Sequence, residues 1–165
     1  MLEYIDAFNI DLKAFTDNFY RKVTGARLDP VLSTLKQIVT AGKHLEITNL
    51  IIPTQNDNDD DFRAMVKWIA DELGKEIVLH LSRYHPMYKM DIDATSARTL
   101  QHLAGIACEF LSYVYVGNIQ LNDYQNTLCI KCGTVLIKRL GYYTEIKAVD
   151  EKGCCTKCGN KAIIQ

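Results

Sequence analysis

Four of the six cysteines in this 165-residue chain fall into two matched turns, Cys129-Ile-Lys-Cys132-Gly133 and Cys155-Thr-Lys-Cys158-Gly159, separated by the 22 residues 133–154. Two C-x-x-C turns can bring four thiolates round one tetrahedral metal ion, and the glycine behind each lets the backbone fold tightly against it. The spacing predicts a zinc ribbon with Cys129, Cys132, Cys155 and Cys158 as ligands. Two disulfides or a redox pair are the competing chemistries. Both suit an oxidising compartment, and no signal peptide precedes the first structured segment. Cys154 is a neighbour that could exchange into the site, but Cys155 preserves the C-x-x-C-G turn. Cys108 lies apart, on an apolar helical face, and is expected in a core.

A second group of polar residues stands where strands are predicted to end. Residues 4–13 alternate so that Asn9, Asp11 and Lys13 share one face and Phe8, Ile10 and Leu12 the other, which predicts a strand with a polar face. Asp29-Pro30 then predicts a helix start with Asp29 as N-cap, an apolar stripe at Val31, Leu32, Leu35, Ile38 and Val39, and a stop at Gly42. His44–Ile52 reads as a buried strand closed by Pro53. The acidic loop 55–61 leads into a helix striped by Phe62, Met65, Val66, Ile69 and Leu73; with Phe62 where a calcium loop needs glycine, its acids favour a helix N-terminus instead. Residues 77–82 predict a third strand running into Arg83-Tyr84-His85-Pro86. Thr95 or Ser96 caps a last helix, and residues 113–116 form a fourth strand before Gly117-Asn118. Residues 119–128 read as a polar linker.

Strands alternating with helices imply an α/β fold with a parallel sheet, and the polar face of the first strand suggests one wall of a barrel. Chemistry then belongs at the C-terminal ends of the strands. Asp11 and Lys13 could grip a polar ligand or simply pair with each other. His85, just past a strand, has the pKa range of an acid, base or ligand contact, although a histidine beside proline is commonly a packed loop residue. His80 and Glu46 are weaker candidates that point into the same space; His44 and His102 carry no signal. No P-loop, G-x-G-x-x-G or G-x-S-x-G motif occurs, so nucleotide triphosphatase, dinucleotide and serine hydrolase chemistries have no support.

Composition narrows the partners. Residues 1–120 carry 12 Lys and Arg against 16 Asp and Glu, and residues 121–165 carry 7 against 4, giving a slightly basic tail on an acidic body. No basic run points to nucleic acid, and no apolar stretch reaches the length of a membrane span. With reduced cysteines, a cytoplasmic location is expected.

The segments Asn9-Ile10-Asp11-Leu12-Lys13, Glu46 to Pro53, His80 to Pro86 and Val114 to Asn118, taken in this order with the paired C-x-x-C-G turns behind them, resemble radical SAM proteins related to pyruvate formate-lyase activating enzyme. The nearest likeness is to the radical SAM member of the AmmeMemoRadiSam system. The resemblance implies a partial (β/α) barrel that binds S-adenosylmethionine and a [4Fe-4S] cluster. The complete protein would generate a deoxyadenosyl radical for hydrogen abstraction, with room for a protein substrate as in the activases. It also implies that Asp11, Lys13 and His85 contact S-adenosylmethionine, and that Thr48 stands where activases carry an arginine. Residues 1–107 contain no cysteine, so the C-x-x-x-C-x-x-C loop that holds the cluster is absent from this chain. The expectation is therefore the C-terminal half of a radical SAM barrel over residues 1–120 followed by a zinc ribbon over 121–165. Such a chain would be inactive alone and prone to self-association through its exposed barrel edge. The alternative is a non-catalytic zinc-ribbon module that binds a partner protein.

Overall fold

The computed structural model describes residues 2–121 and 123–162, which divide into two compact units, 1–119 and 120–165. In the first unit the period-two alternation of the N-terminal residues gives strand β1 (Ala7–Asp11), shorter at both ends than the sequence suggests. It is followed by β2 (His44–Ile51), β3 (Val78–Arg83) and β4 (Tyr113–Gly117). All three neighbouring pairs are parallel and the spatial order is β1-β2-β3-β4. This is an open four-stranded sheet with β1 and β4 at its edges. A barrel is not closed by the described residues.

Parallel neighbours need crossovers, and helices α2 (Leu28–Thr40), α3 (Asp59–Glu72) and α4 (Ala97–Cys108) supply them. Their stripes bury Leu35, Ile38, Met65, Val66, Ile69, Leu100, Leu103 and Ala107 with Leu45, Ile47, Ile51, Leu79, Leu81, Val114 and Val116 of the sheet. The strand β2 is not buried on both faces as its sequence suggests. Its residues alternate, with Leu45, Ile47, Asn49 and Ile51 buried and Glu46, Thr48 and Leu50 only partly so. One face of the sheet carries the core and the other lies open.

Three local expectations change. Helix α2 begins one residue before Asp29, with Arg27 at the cap position and no side-chain bond from it; Oδ1 of Asp17 instead accepts from the Leu28 amide at 3.2 Å. That Asp17 lies in a short helical segment absent from the sequence reading, α1 (Asp17–Phe19), which continues as a single wide turn over Tyr20–Thr24 and is opened by Thr16, whose hydroxyl accepts from the Phe19 amide. Cys108 is exposed, not part of the core, because it is the last residue of α4 and stands at the margin of the stripe formed by Leu100, Leu103, Ala104 and Ala107. The caps of α3 and α4 follow local rules: Asn58 accepts from the amides of Asp60 and Asp61, and Ser96 from that of Thr99.

The second unit is an antiparallel sheet of β5 (Thr127–Leu128), β6 (Val135–Leu140) and β7 (Tyr143–Ile146), so the expected linker already contains a short strand. Its core is small: Cys129, Leu136, Ile137, Cys155 and Ala162 are buried, with Cys132, Ala148, Val149 and Cys158 packed around them. No helix among the described residues is long and apolar enough to cross a membrane.

Candidate polar face and metal centre

The parallel register lines up one row of polar side chains across the open face. Asp11 lies opposite Thr48, Thr48 opposite His80, and His80 opposite Tyr115. One step lower, Asn9 lies opposite Glu46, and one step higher Leu50 lies opposite Ser82 and Ser82 opposite Gly117. Hydrogen bonds tie the rows together: the Thr48 hydroxyl donates to Oδ1 of Asn9 at 2.8 Å, and Nε2 of His80 lies 2.8 Å from Oε2 of Glu46. The His80 ring stacks on Tyr115, with centroids 5.6 Å apart and planes 25° from parallel. His44, without signal in the sequence, reaches the other oxygen of Glu46 at 3.3 Å.

Lys13 stands just beyond the end of β1, and three side chains from elsewhere hold the backbone there. Its amide donates to the Tyr20 hydroxyl at 3.1 Å, and its carbonyl accepts from Nδ2 of Asn56 at 2.6 Å. The Leu12 carbonyl before it accepts from Nδ2 of the buried Asn49 at 2.6 Å. The Lys13 ammonium pairs with Oδ2 of Asp11 at 3.0 Å, and both side chains remain more than a third exposed. These two predicted site residues therefore come together. His85 does not join them: it is exposed, and among the described residues it makes no hydrogen bond or ion pair with either. What fixes its position is the segment around it. Tyr84 is buried, its amide donates to the Thr95 hydroxyl at 3.0 Å, and its own hydroxyl donates to the Met90 carbonyl at 2.8 Å. Thr95 is fully buried and donates in turn to the Ile51 carbonyl at 2.6 Å. His102 binds Asp59, away from this face.

Desolvation tends to raise the Glu46 carboxyl, but hydrogen bonds from His80 and His44 outweigh it and hold the pKa below its ordinary 4.5. A carboxyl whose folded pKa is depressed adds stability that is present above the unfolded value and is lost as pH falls through the folded one. Melting midpoints of the wild type should therefore fall more steeply than those of Glu46→Gln as pH drops below about 4.5. Parallel curves for the two proteins would show that the carboxylate is not stabilised by its imidazoles.

In the second unit the two cysteine turns are built alike. The Gly133 amide donates to the Cys129 carbonyl and the Gly159 amide to the Cys155 carbonyl, each at 2.8 Å, while the amides of Cys129 and Cys155 donate to Thr134 and Asn160. Gly133 and Gly159 adopt φ of 69° and 70°, the left-handed conformation that favours glycine. Nothing crowds a Cβ at either glycine, so the requirement is backbone conformation and not space.

The ligand sulfurs of Cys129, Cys132, Cys155 and Cys158 all lie within 4.8 Å of one another. Sγ of Cys129 is 3.5 Å from that of Cys158, and Sγ of Cys132 is 3.7 Å from that of Cys155. Four thiolates on one tetrahedral zinc, with Zn–S bonds of about 2.3 Å, would lie about 3.8 Å apart, and a disulfide only about 2.05 Å. The set fits a single metal ion such as zinc. It does not fit a [4Fe-4S] cluster with an open iron, because such a cluster takes only three protein thiolates and four converge here.

Crowding also divides the thiols electrostatically. Hydrogen bonding from the Thr134 hydroxyl and amide lowers Cys132 to about 6. The Asn160 amide works the same way at Cys158, but desolvation and the neighbouring cysteines overcome it and push that thiol up to about 12. Four thiolates cannot share this space without a cation. Cys154 stays outside the set, its thiol directed toward the Lys152 carbonyl.

No protein-family model matches the chain. It is 44% identical over 160 residues to an uncharacterized protein of Methanocaldococcus jannaschii, a match that covers 95% of this chain and 48% of that protein. The chain thus spans about half the length of the curated relative it matches. Among solved structures, a domain of pyruvate-formate lyase-activating enzyme from Bacteroides vulgatus superposes with a TM-score of 0.63 at 15% identity, covering 71% of this chain and 70% of that one. A radical SAM methyltransferase from Sphaerobacter thermophilus gives 0.59 at 13% identity, covering 71% and 38%. The four-stranded parallel α/β unit shares its fold with these two structures, and a four-cysteine group able to bind a metal follows it.

Proposed function

We propose that this chain is the C-terminal portion of a radical SAM protein of the AmmeMemoRadiSam kind, related to pyruvate formate-lyase activating enzyme. The observation that carries the reading is the polar row Asp11, Thr48, His80 and Tyr115 on the uncovered face of a parallel sheet of this fold. Such a face is dry on one side, polar on the other and open at the strand ends, where α/β proteins place their ligands. Asp11, Lys13 and His85 are the S-adenosylmethionine contacts in this reading. When bound beside a reduced cluster, S-adenosylmethionine supplies a carbon radical for hydrogen abstraction. This chain's residues supply the polar wall: the clamped Lys13 backbone fixes where the ammonium and its Asp11 partner can reach. The cluster loop belongs to the remainder of the complete protein, whose strands would continue the sheet at the free edge of β1. In isolation that edge is a template for self-association. The four-cysteine unit is a structural zinc ribbon.

The test joins this chain to the reading frame upstream. A frame encoding C-x-x-x-C-x-x-C should give a protein that, after cluster reconstitution, binds S-adenosylmethionine and loses that binding in Lys13→Ala. A stop codon directly upstream, or unchanged binding in the variant, would overturn the reading. One feature favours the second reading, a protein-interaction module: Leu140, Tyr142, Tyr143 and Ile146 of the β6–β7 hairpin are all exposed. The same upstream frame separates the two, since an interaction module needs no cluster loop.

A further inference from the structure

Glu46 receives two imidazoles, His80 on Oε2 and His44 on Oε1, each through Nε2. A carboxylate only accepts, so both Nε2 atoms must carry hydrogen. For a neutral His80 this selects one tautomer and leaves the lone pair on Nδ1. No described residue bonds to that nitrogen. The ring cannot turn freely to find another partner, because it stacks on Tyr115 and its own Nε2 is held at 2.8 Å. About a third of the side chain, 32%, remains exposed on the open face. Two other members of the row also offer acceptors. Asp11 stands two strands away at the same level, and the Thr48 hydroxyl between them has already given its hydrogen to Asn9. A ligand over Asp11, Thr48 and His80 meets lone pairs, which suit donor groups.

We propose that Glu46 and His80 form a carboxylate–imidazole pair in which Nδ1 of His80 is a preset hydrogen-bond acceptor for an O–H or N–H group of the substrate. Glu46 is the positioning residue, acting through the imidazole, and Tyr115 sets the ring plane. The inference rests on the reading of the open face as the ligand-binding face.

The test reads the tautomer directly in this chain. Two-bond nitrogen–proton correlations on ¹⁵N-histidine-labelled protein should show neutral His80 in the single Nε2–H form, and Glu46→Gln should lose that purity. Diethylpyrocarbonate, which acylates only an imidazole nitrogen with a free lone pair, should modify His80 in the wild type, with exposed His85 as the internal reference. An Nδ1–H form or a tautomer mixture in the wild type would overturn the inference. So would an unaltered tautomer in Glu46→Gln, or an unmodified His80 in a sample whose His85 has reacted. S-adenosylmethionine binding by the complete protein is an independent readout. A fixed tautomer without that binding overturns the functional reading alone, and binding without a fixed tautomer overturns the carboxylate–imidazole pair alone.

Discussion

Removing the metal from Cys129, Cys132, Cys155 and Cys158 is expected to unfold residues 120–165 while the parallel sheet keeps its structure. The reason is the size of the core: five buried residues, two of them cysteine ligands, cannot offset the chain entropy of more than forty residues. In small units of this type the metal supplies the missing free energy, on the order of 10 kcal/mol at neutral pH. Without a cation, Cys129 and Cys158 face each other at 3.5 Å and Cys132 and Cys155 at 3.7 Å with no ion to hold them together. Cys155→Ser should have the same effect as chelation, because Cys155 is almost wholly buried and its turn is closed by the Gly159 amide. Cys154→Ser, one residue away and outside the sulfur set, should change nothing. Amide spectra report both units at once, and elemental analysis gives the metal content. Dispersed resonances from β6 and β7 in metal-free protein would refute the dependence. Zinc well below one per chain, with the unit folded, would refute the metal assignment too.

What the sequence made legible follows from how local each determinant is. The two cysteine turns repeat within five residues, so which four cysteines converge, the tight turn at each glycine and even the place of Cys154 outside the set could be read in advance. Alternation in β1 showed its polar face, since period two is a property of the strand alone. The pairings across that face are different in kind. Glu46 and His80 are 34 residues apart and meet only because β2 and β3 run parallel in one particular register. A shift of one residue would send His80 into the core. For the same reason His44 and Tyr115 carried no signal, although His44 completes the carboxylate and Tyr115 the ring stack. The start of α2 was misplaced because its cap comes from Asp17, eleven residues upstream, where capping rules look only at the adjacent residue. His85 was chosen by resemblance, and the fold leaves it exposed with its backbone neighbours fixed.

Asn56→Asp should be the most damaging single substitution near the strand ends, at about 3 to 5 kcal/mol at neutral pH. The Asn56 amide is saturated: Oδ1 accepts from the Ile52 amide at 2.7 Å, while Nδ2 donates to the carbonyls of Lys13 at 2.6 Å and Leu50 at 2.8 Å. It therefore ties the end of β1 to the end of β2 through a nearly buried side chain. The substitution keeps the shape and the single acceptor but replaces both donors with a charged oxygen facing two carbonyl oxygens. Two part-buried carbonyls each lose a donor at about 1 to 3 kcal/mol, and the charge adds a repulsion that relaxation only partly relieves. A loss of this size is a large part of a typical domain stability of about 5 to 15 kcal/mol. The sign of the pH dependence separates this account from simple loss of packing. Repulsion disfavours the charged form in the folded state, so the folded pKa of the introduced carboxyl lies above its unfolded value. The penalty is then complete above the folded pKa and shrinks as pH falls, because the folded state takes up a proton first and a protonated carboxyl regains one donor. Urea midpoints of N56D and wild type should converge as the solution is taken from pH 7 toward pH 4, and amide exchange at Lys13 and Ile52 should slow in parallel. An equal gap at both pH values would mean that the geometry of the clamp, and not its donors, is what the fold requires.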